Sequence, residues 1–343
     1  MRSASAMGNC RRGRGFLCRS LVWLGLVLLG GVTWAQTCLS GADIEPAVRA
    51  ALEDVAKRYF DLSARGDTAA LQKSSIPPVA SNFGGVENAV KENQPNFAGA
   101  SVTVRAPFLL NAGGTEPLTR AEFLCGVFGP SGQTTQSAVF VLNNLPPGKY
   151  AVAILDVRGK EPWTLTVVMQ EAGGDWKLAG YYARPSEAAG HDGAWFIDKA
   201  REFKKKAQLH NAWLYYREAI ALGSPVDFMS TLASDKLYDE AQAAEPSDMP
   251  ANGNVVELNA GGKTYRWTEI FPLAVGNDLD VVAKYASSDV SNTQKTFADN
   301  VQMIKALVAK FPELREAFTA VVARAVTSSG QDYGSMLPMK EIK

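Results

Sequence analysis

The chain has 343 residues, of which 46% are hydrophobic and 20% are charged, with 35 basic and 35 acidic side chains. This composition is typical of a globular protein and excludes a largely disordered chain. The first 35 residues hold five arginines and no acid, which leaves 30 basic and 35 acidic residues in the remainder. A chain with this negative balance does not suit a nucleic-acid partner, which requires a clustered basic face.

Residues 1–35 are predicted to be a secretory signal peptide. A basic leader with Arg11 and Arg12 precedes the apolar run Leu21–Trp34, and Ala35 offers a small residue for cleavage. The run is shorter than the roughly 20 apolar residues that a membrane-spanning helix needs. We therefore expect an exported protein, periplasmic or extracellular, without stable membrane insertion after cleavage. The alternative is an uncleaved anchor.

Two of the four cysteines, Cys38 and Cys125, lie outside the predicted signal. In an oxidising compartment an isolated pair favours a disulfide. Such a bridge is expected to tie the new N-terminus to a predicted strand that contains Cys125. The alternative is a buried thiol at Cys125 and an exposed one at Cys38.

The segment Ile44–Leu62 has the apolar period of an amphipathic helix. We expect Asp43 to be its N-cap, Gly66 to end it, and Asp67 to cap a short second helix. A third short helix is predicted within the following Pro-rich stretch, at 86–93.

Alternating apolar residues then predict about six strands, the last two forming a β-hairpin over 163–182. The others are predicted at 101–106, 118–127, 137–142 and 150–157. A hairpin turn at Ala172 and Gly173 is expected to place Trp176 near Met169. Helices followed by antiparallel strands indicate an α+β fold, a cone-like curved sheet packed on its helices over 36–184.

The run Tyr59–Asp67, with Leu71 after it, and the later Gly173–Lys177 resemble the nuclear-transport-factor-like (SnoaL-like) superfamily, over residues 44–184. That group includes polyketide cyclases and ketosteroid isomerase. The loop Pro146–Tyr150 instead resembles small immunoglobulin-like β-sandwich modules, which is the alternative fold.

The first resemblance implies a carboxylate or tyrosine facing an apolar cavity, where desolvation raises the pKa of a carboxylate. Asp156 and Tyr59 are the catalytic candidates, and Tyr59, Trp163, Trp176 and Tyr182 are the candidates for a ligand pocket. The alternative readings are a solvated strand end for Asp156 and ordinary core packing for the aromatic residues.

Residues 185–193 are predicted to be a linker, followed by a helical segment at 194–244. The spacing of small and aromatic residues over 195–225 resembles one tetratricopeptide helical hairpin, which needs neighbours to cover its faces. Its aromatic residues Phe196, Trp213 and Tyr215 are candidates for an interaction surface.

A second linker is predicted at 245–253, before a mixed α/β region at 254–343 that resembles no family. It is expected to contain a β-hairpin over 255–271, helices at 292–310 and 312–326, and a loosely ordered tail.

His191 and His210 have no metal-ligand spacing, and no nucleophile elbow or phosphate loop is present, so we predict neither a metal nor a cofactor. The leading hypothesis is a non-catalytic exported binding protein for a protein, a peptide or a small apolar ligand. One alternative is an acid–base enzyme of isomerase, cyclase or hydratase type that uses the cone. The other is a structural component of the cell envelope.

Overall fold

The computed structural model describes residues 36–343, so the predicted signal peptide lies outside the described part of the chain. The fold is α+β with open, largely antiparallel sheets, which confirms the predicted class. Across the described residues, every helix is too short or too polar to span a bilayer.

The N-terminal part begins with a strand and four helices: β1 (Gln36–Ser40), α1 (Pro46–Ala64), α2 (Thr68–Lys73), α3 (Pro77–Ser81) and α4 (Gly84–Phe97). Gly66 follows α1 at φ 69°, and the Asp67 side chain accepts a hydrogen bond from the Ala70 N–H at 3.0 Å, as predicted. The predicted N-cap was wrong, because Asp43 lies in a 3-10 turn and Glu45 precedes α1. The third predicted helix is longer than expected and corresponds to α4.

The first sheet has the order β1-β3-β6-β7-β8, with β2 paired to the same edge of β6 as β3. Its further strands are β2 (Ser101–Val104), β3 (Phe108–Ala112), β6 (Gly148–Arg158), β7 (Pro162–Ala172) and β8 (Asp175–Pro185). Helices α1, α2 and α4 cover one face. Leu52, Tyr59, Val167 and Leu178 are all fully buried there, in one cluster, as the amphipathic pattern predicted.

The turn of the β7–β8 hairpin lies one residue later than predicted, at Gly173 and Gly174. Both glycines have positive φ, 65° and 85°, which is the backbone that a tight two-residue hairpin turn requires. Trp176 therefore pairs with Glu171, and Met169 pairs with Leu178. The predicted proximity of Trp176 to Met169 was wrong by two pairs along the ladder.

A second sheet packs on the other face of the first. It consists of β4 (Leu118–Gly129), β5 (Gly132–Leu145) and, after the helical hairpin, β11 (Met229–Thr231), in the order β11-β5-β4. Phe123, Phe140, Tyr150 and Val152 belong to the core between the sheets. The predicted disulfide is present: Cys38 on β1 bonds to Cys125 on β4 and so joins the two layers.

After β8, the two short strands β9 (Glu187–Ala188) and β10 (His191–Asp192) form a small antiparallel hairpin, and the chain then becomes helical. The helices are α5 (Gly193–Lys205), α6 (Leu209–Gly223) and α7 (Leu232–Gln242). Helix α6 contacts α5, α7, the later strand Lys263–Val275 and the short helix Leu314–Ala317, so it is buried on most of its circumference.

The C-terminal sheet has five strands in the order β12-β13-β14-β15-β16. The strands are β12 (Val256–Ala260), β13 (Lys263–Val275), β14 (Asp278–Ala286), β15 (Ala320–Val326) and β16 (Asp332–Pro338), and the helices are α8 (Thr293–Lys310) and α9 (Leu314–Ala317). The β12–β13 hairpin and α8 agree with the predictions.

Two predictions for the C-terminal region were wrong. The expected helix at 312–326 is the short helix α9 followed by strand β15, and the expected loose tail contains β16. Strand β15 pairs in parallel with β14 and alternates between fully and partly buried side chains, and Arg324 is the one charged residue in its short, otherwise apolar run Ala320–Val326. Such a run does not distinguish a strand from a buried helix.

Candidate functional site

An open cleft of about 650 Å³ lies between α6, α7, the connection from α7 to β12, and β13. We call it the hairpin cleft. It is lined by Trp213, Arg217, Ile220, Tyr238, Asp239, Ala241, Gln242, Glu245, Pro250, Ala251, Asn252, Gly253, Thr268 and Glu269. Its volume lies within the range of small-molecule sites in proteins, roughly 300–1,000 Å³.

One wall of the hairpin cleft is a stripe along α6. Trp213, Arg217 and Ile220 are spaced by four and three residues, so they share one face of the helix. The Arg217 guanidinium lies over the Trp213 ring, 4.8 Å from its centroid, and its Nη1 donates to the Ile270 carbonyl at 2.6 Å. Burial lowers the pKa of Arg217, although Glu269 and Glu245 oppose this shift. Arg217 is therefore held in one orientation at the base of the cleft.

The other lining residues include an exposed aromatic ring and three acids. Tyr238 on α7 is 53% exposed, the most exposed aromatic side chain among residues 36–343. Asp239, Glu245 and Glu269 add three carboxylates. Lys284 pairs with Glu269 at 2.6 Å. The cleft therefore offers an apolar ring surface beside an excess of negative charge.

The connection from α7 to β12, which borders the cleft, contains Asn252, whose φ of 51° is unusual for a residue other than glycine. Its side-chain amide donates to the carboxylate of Glu245 at 3.3 Å. This bond fixes the Glu245 carboxylate, which together with Asp239 forms the acidic rim.

The structure separates the three residues predicted for an interaction surface. Phe196 and Tyr215 lie in the core, and the Tyr215 hydroxyl donates to the Ala317 carbonyl at 2.7 Å. Burial raises the pKa of Tyr215. Trp213 alone reaches a cleft, although only 4% of it is exposed, because Arg217 covers its ring.

The four residues predicted for a ligand pocket do not share one pocket. Tyr59 and Trp176 come together, since the Tyr59 hydroxyl donates to the Trp176 carbonyl at 2.9 Å, and both line a second cleft. Trp163 packs against the edge of Phe97 at the other end of β7. Tyr182 packs on Phe228, on the face of the sheet that is turned away from α1.

Asp156, the predicted catalytic carboxylate, lies on the face of β6 that does not contact α1 and α4. Its neighbours along the strand, Leu155 and Val157, are the residues buried under the helices. Both Asp156 oxygens accept hydrogen bonds from Arg105, with a shortest distance of 2.6 Å to Nη2. The carboxylate is part of a half-exposed ion pair.

The two histidines have different surroundings. His191 stacks on Trp195 with the ring centroids 3.7 Å apart. His210 lies between Glu313 and Asp248, at 2.5 Å and 2.9 Å from its two ring nitrogens. This contact ties the start of α6 to the C-terminal region. Among residues 36–343, His, Cys, Asp and Glu side chains form no group of three that could hold a metal ion.

Sequence reasoning missed Arg217 and Tyr238. The stripe formed by Trp213, Arg217 and Ile220 was visible in the helical spacing of α6, and Tyr238 lay within a predicted helix. Nothing in the sequence indicated that α7 would lie beside this face of α6.

Comparisons with protein-family models, with curated proteins and with solved structures give no match to this chain. The resemblances of residues 44–184 and 195–225 to known families therefore stay predictions.

Proposed function

We propose that the protein is an exported, non-catalytic binding protein that holds a peptide in the hairpin cleft. The observation that carries this proposal is that the exposed Tyr238 and the Trp213–Arg217 stack line the same open cleft. Exposed aromatic groups beside a pre-positioned arginine are typical of binding hot spots. The disulfide between Cys38 and Cys125 supports export, because such bonds persist in oxidising compartments.

The chemistry of the cleft defines the peptide. An apolar or aromatic side chain would pack against Tyr238 and Ile220, and a neighbouring lysine or arginine would meet the rim formed by Asp239 and Glu245. Unlike acid–base catalysis, this binding requires no proton transfer to or from the protein.

Two observations support binding over an acid–base enzyme in the cone. The face of the first sheet that meets α1 and α4 is packed with buried apolar side chains, including Leu155 and Val167. Asp156 lies on the opposite face, in a half-exposed ion pair with Arg105 rather than in an apolar cavity.

The test is to select binders from a random heptapeptide library on the purified protein and to measure their affinities by isothermal titration. We expect selected peptides to carry an aromatic or long aliphatic residue next to a lysine or arginine. Tyr238→Ala should weaken these peptides at least tenfold. The matched control is Phe297→Ala, which removes a 48% exposed ring from α8, outside the cleft.

The proposal fails if no peptide is enriched. It also fails if the enriched peptides bind Tyr238→Ala as tightly as the unmodified protein, or if Phe297→Ala weakens them equally.

A further inference from the structure

A second cleft, of about 640 Å³, opens between the end of α1, the end of α2 and the start of β8. It is lined by Arg58, Tyr59, Leu62, Arg65, Ala70, Lys73, Ser74, Asp175, Trp176 and Lys177. Four of these residues are cations and one is an acid. We call it the basic cleft, and it contrasts with the acidic rim of the hairpin cleft.

The four cations are not neutralised by neighbouring carboxylates. Among residues 36–343, none of the four lies within 4.0 Å of an acidic oxygen. The first 35 residues contain no Asp or Glu, so they supply no carboxylate. Like charges that converge on a concave surface raise the local positive potential, which attracts anions.

Helix ends account for only part of this cluster. Arg65 follows the last residue of α1 and Lys73 is the last residue of α2, and cations at helix C-termini interact favourably with the helix dipole. Arg58 lies within α1 and Lys177 lies on a strand, so the dipole does not explain their convergence on the same cleft.

The base of the basic cleft is rigid and partly apolar. Tyr59 is fully buried, and its hydroxyl donates to the carbonyls of Trp176 at 2.9 Å and Ser74 at 3.1 Å. The Ser74 carbonyl also accepts the Leu178 N–H at 2.9 Å. These bonds fix α1, α2 and β8 to one another. The half-buried Trp176 and the buried Leu62 add apolar surface to the lining.

We propose that the basic cleft binds a small organic anion, in which a carboxylate or phosphate group is attached to a flat apolar body. The cations would hold the anionic group, and Trp176 would pack against the body. The cleft has the size of a small-molecule site. A long polyanion fits less well, since residues 36–343 carry 30 basic and 35 acidic side chains. This site is independent of the hairpin cleft and takes a ligand of opposite charge.

The test uses isothermal titration of the purified protein with four probes: phenyl phosphate, benzoate, inorganic phosphate and benzyl alcohol. We expect phenyl phosphate or benzoate to bind more tightly than inorganic phosphate, and benzyl alcohol to give no measurable binding. Affinity should fall as salt is added, because ions screen exposed charges.

Two charge-removing variants separate a site from general surface charge. Arg58→Gln with Lys73→Gln should weaken the aromatic anion at least tenfold. The matched control, Arg158→Gln with Lys160→Gln, removes two exposed cations from the β6–β7 turn, which also have no acidic oxygen within 4.0 Å among the described residues. It should leave the affinity unchanged.

Trp176→Leu tests the contribution of the ring. It should reduce the preference for phenyl phosphate over inorganic phosphate while all four cations stay in place. The proposal is overturned if neither aromatic anion binds at millimolar concentration, or if the two double variants weaken binding equally. It is also overturned if Trp176→Leu leaves the preference for the aromatic anion intact.

Discussion

Replacing both bridged cysteines, Cys38→Ala with Cys125→Ala, should reduce the free energy of unfolding by several kcal/mol. The bridge closes a loop with a sequence separation of 87 residues. A cross-link over a loop of this length removes chain entropy from the unfolded state worth about 4–5 kcal/mol at 25 °C. The loop contains all four N-terminal helices, so the bridge restricts the segment that must dock on the first sheet.

The assay is equilibrium urea unfolding of the oxidised protein, the reduced protein and the double variant, followed by circular dichroism. The reduced protein and the double variant should unfold at similar urea concentrations, both well below that of the oxidised protein. Removal of the bridge should slow refolding if β1 and β4 already meet in the transition state, and speed unfolding if they meet later.

A loss below about 1 kcal/mol would refute the entropic reasoning, since the loop length sets its scale. A loss that appeared only as faster unfolding would show that β1 and β4 meet after the transition state.

Two further predictions concern individual side chains. At the β6–β7 turn, an added Cβ in Gly159→Ala would lie 2.2 Å from the Asn96 carbonyl oxygen, so we expect a loss of about 2 kcal/mol or more in urea unfolding. The control is Gly85→Ala in α4, where the added Cβ would have no atom within 4 Å, so this variant should be neutral or stabilising. An equal loss of stability in both variants would contradict the steric argument. Burial raises the pKa of Glu218 from its ordinary value of 4.5 to about 7, so the folded state binds more protons than the unfolded state between these values. The free energy of unfolding should therefore fall by about 1–3 kcal/mol as pH rises through this window. Glu218→Gln should remove this part of the pH dependence. If the free energy of unfolding changes with pH in that variant as it does in the unmodified protein, Glu218 is not the group responsible.

The packing of α1 on the first sheet was predictable from sequence. The helical period over Ile44–Leu62 and the alternation over β7 and β8 each defined one apolar face, and such faces are buried against each other. The turn glycines were also visible. The register error arose because the turn was placed on Ala172 and Gly173, whereas Gly173 and Gly174 are the pair that can both adopt positive φ.

The C-terminal region shows why the sequence pattern alone did not identify β15 as a strand. Strand β15 is a central strand, because β14 and β16 pair with its two edges, and it buries Val321, Ala323 and Ala325 while Arg324 on its other face stays partly exposed. Six of its seven residues are Ala or Val, and a short, largely apolar run of this kind does not distinguish a strand from a helix by its period alone. Its identity follows from pairing with β14, which precedes it by a whole helix.

Both clefts depended on the tertiary structure even where their residues were singled out in advance. Tyr59 and Trp176 lie more than a hundred positions apart, and only the docking of α1 on β8 joins them through a hydrogen bond. In the same way, the approach of α7 decided that Trp213 would border a cleft while Tyr215 became core. Local periodicity determines which side of an element is apolar, but the partner that covers that side is chosen by contacts between distant segments. The amino-acid pattern thus determined α1, the β7–β8 hairpin and their buried faces, whereas the assembled fold decided the C-terminal strands β15 and β16 and where charged and aromatic side chains converge.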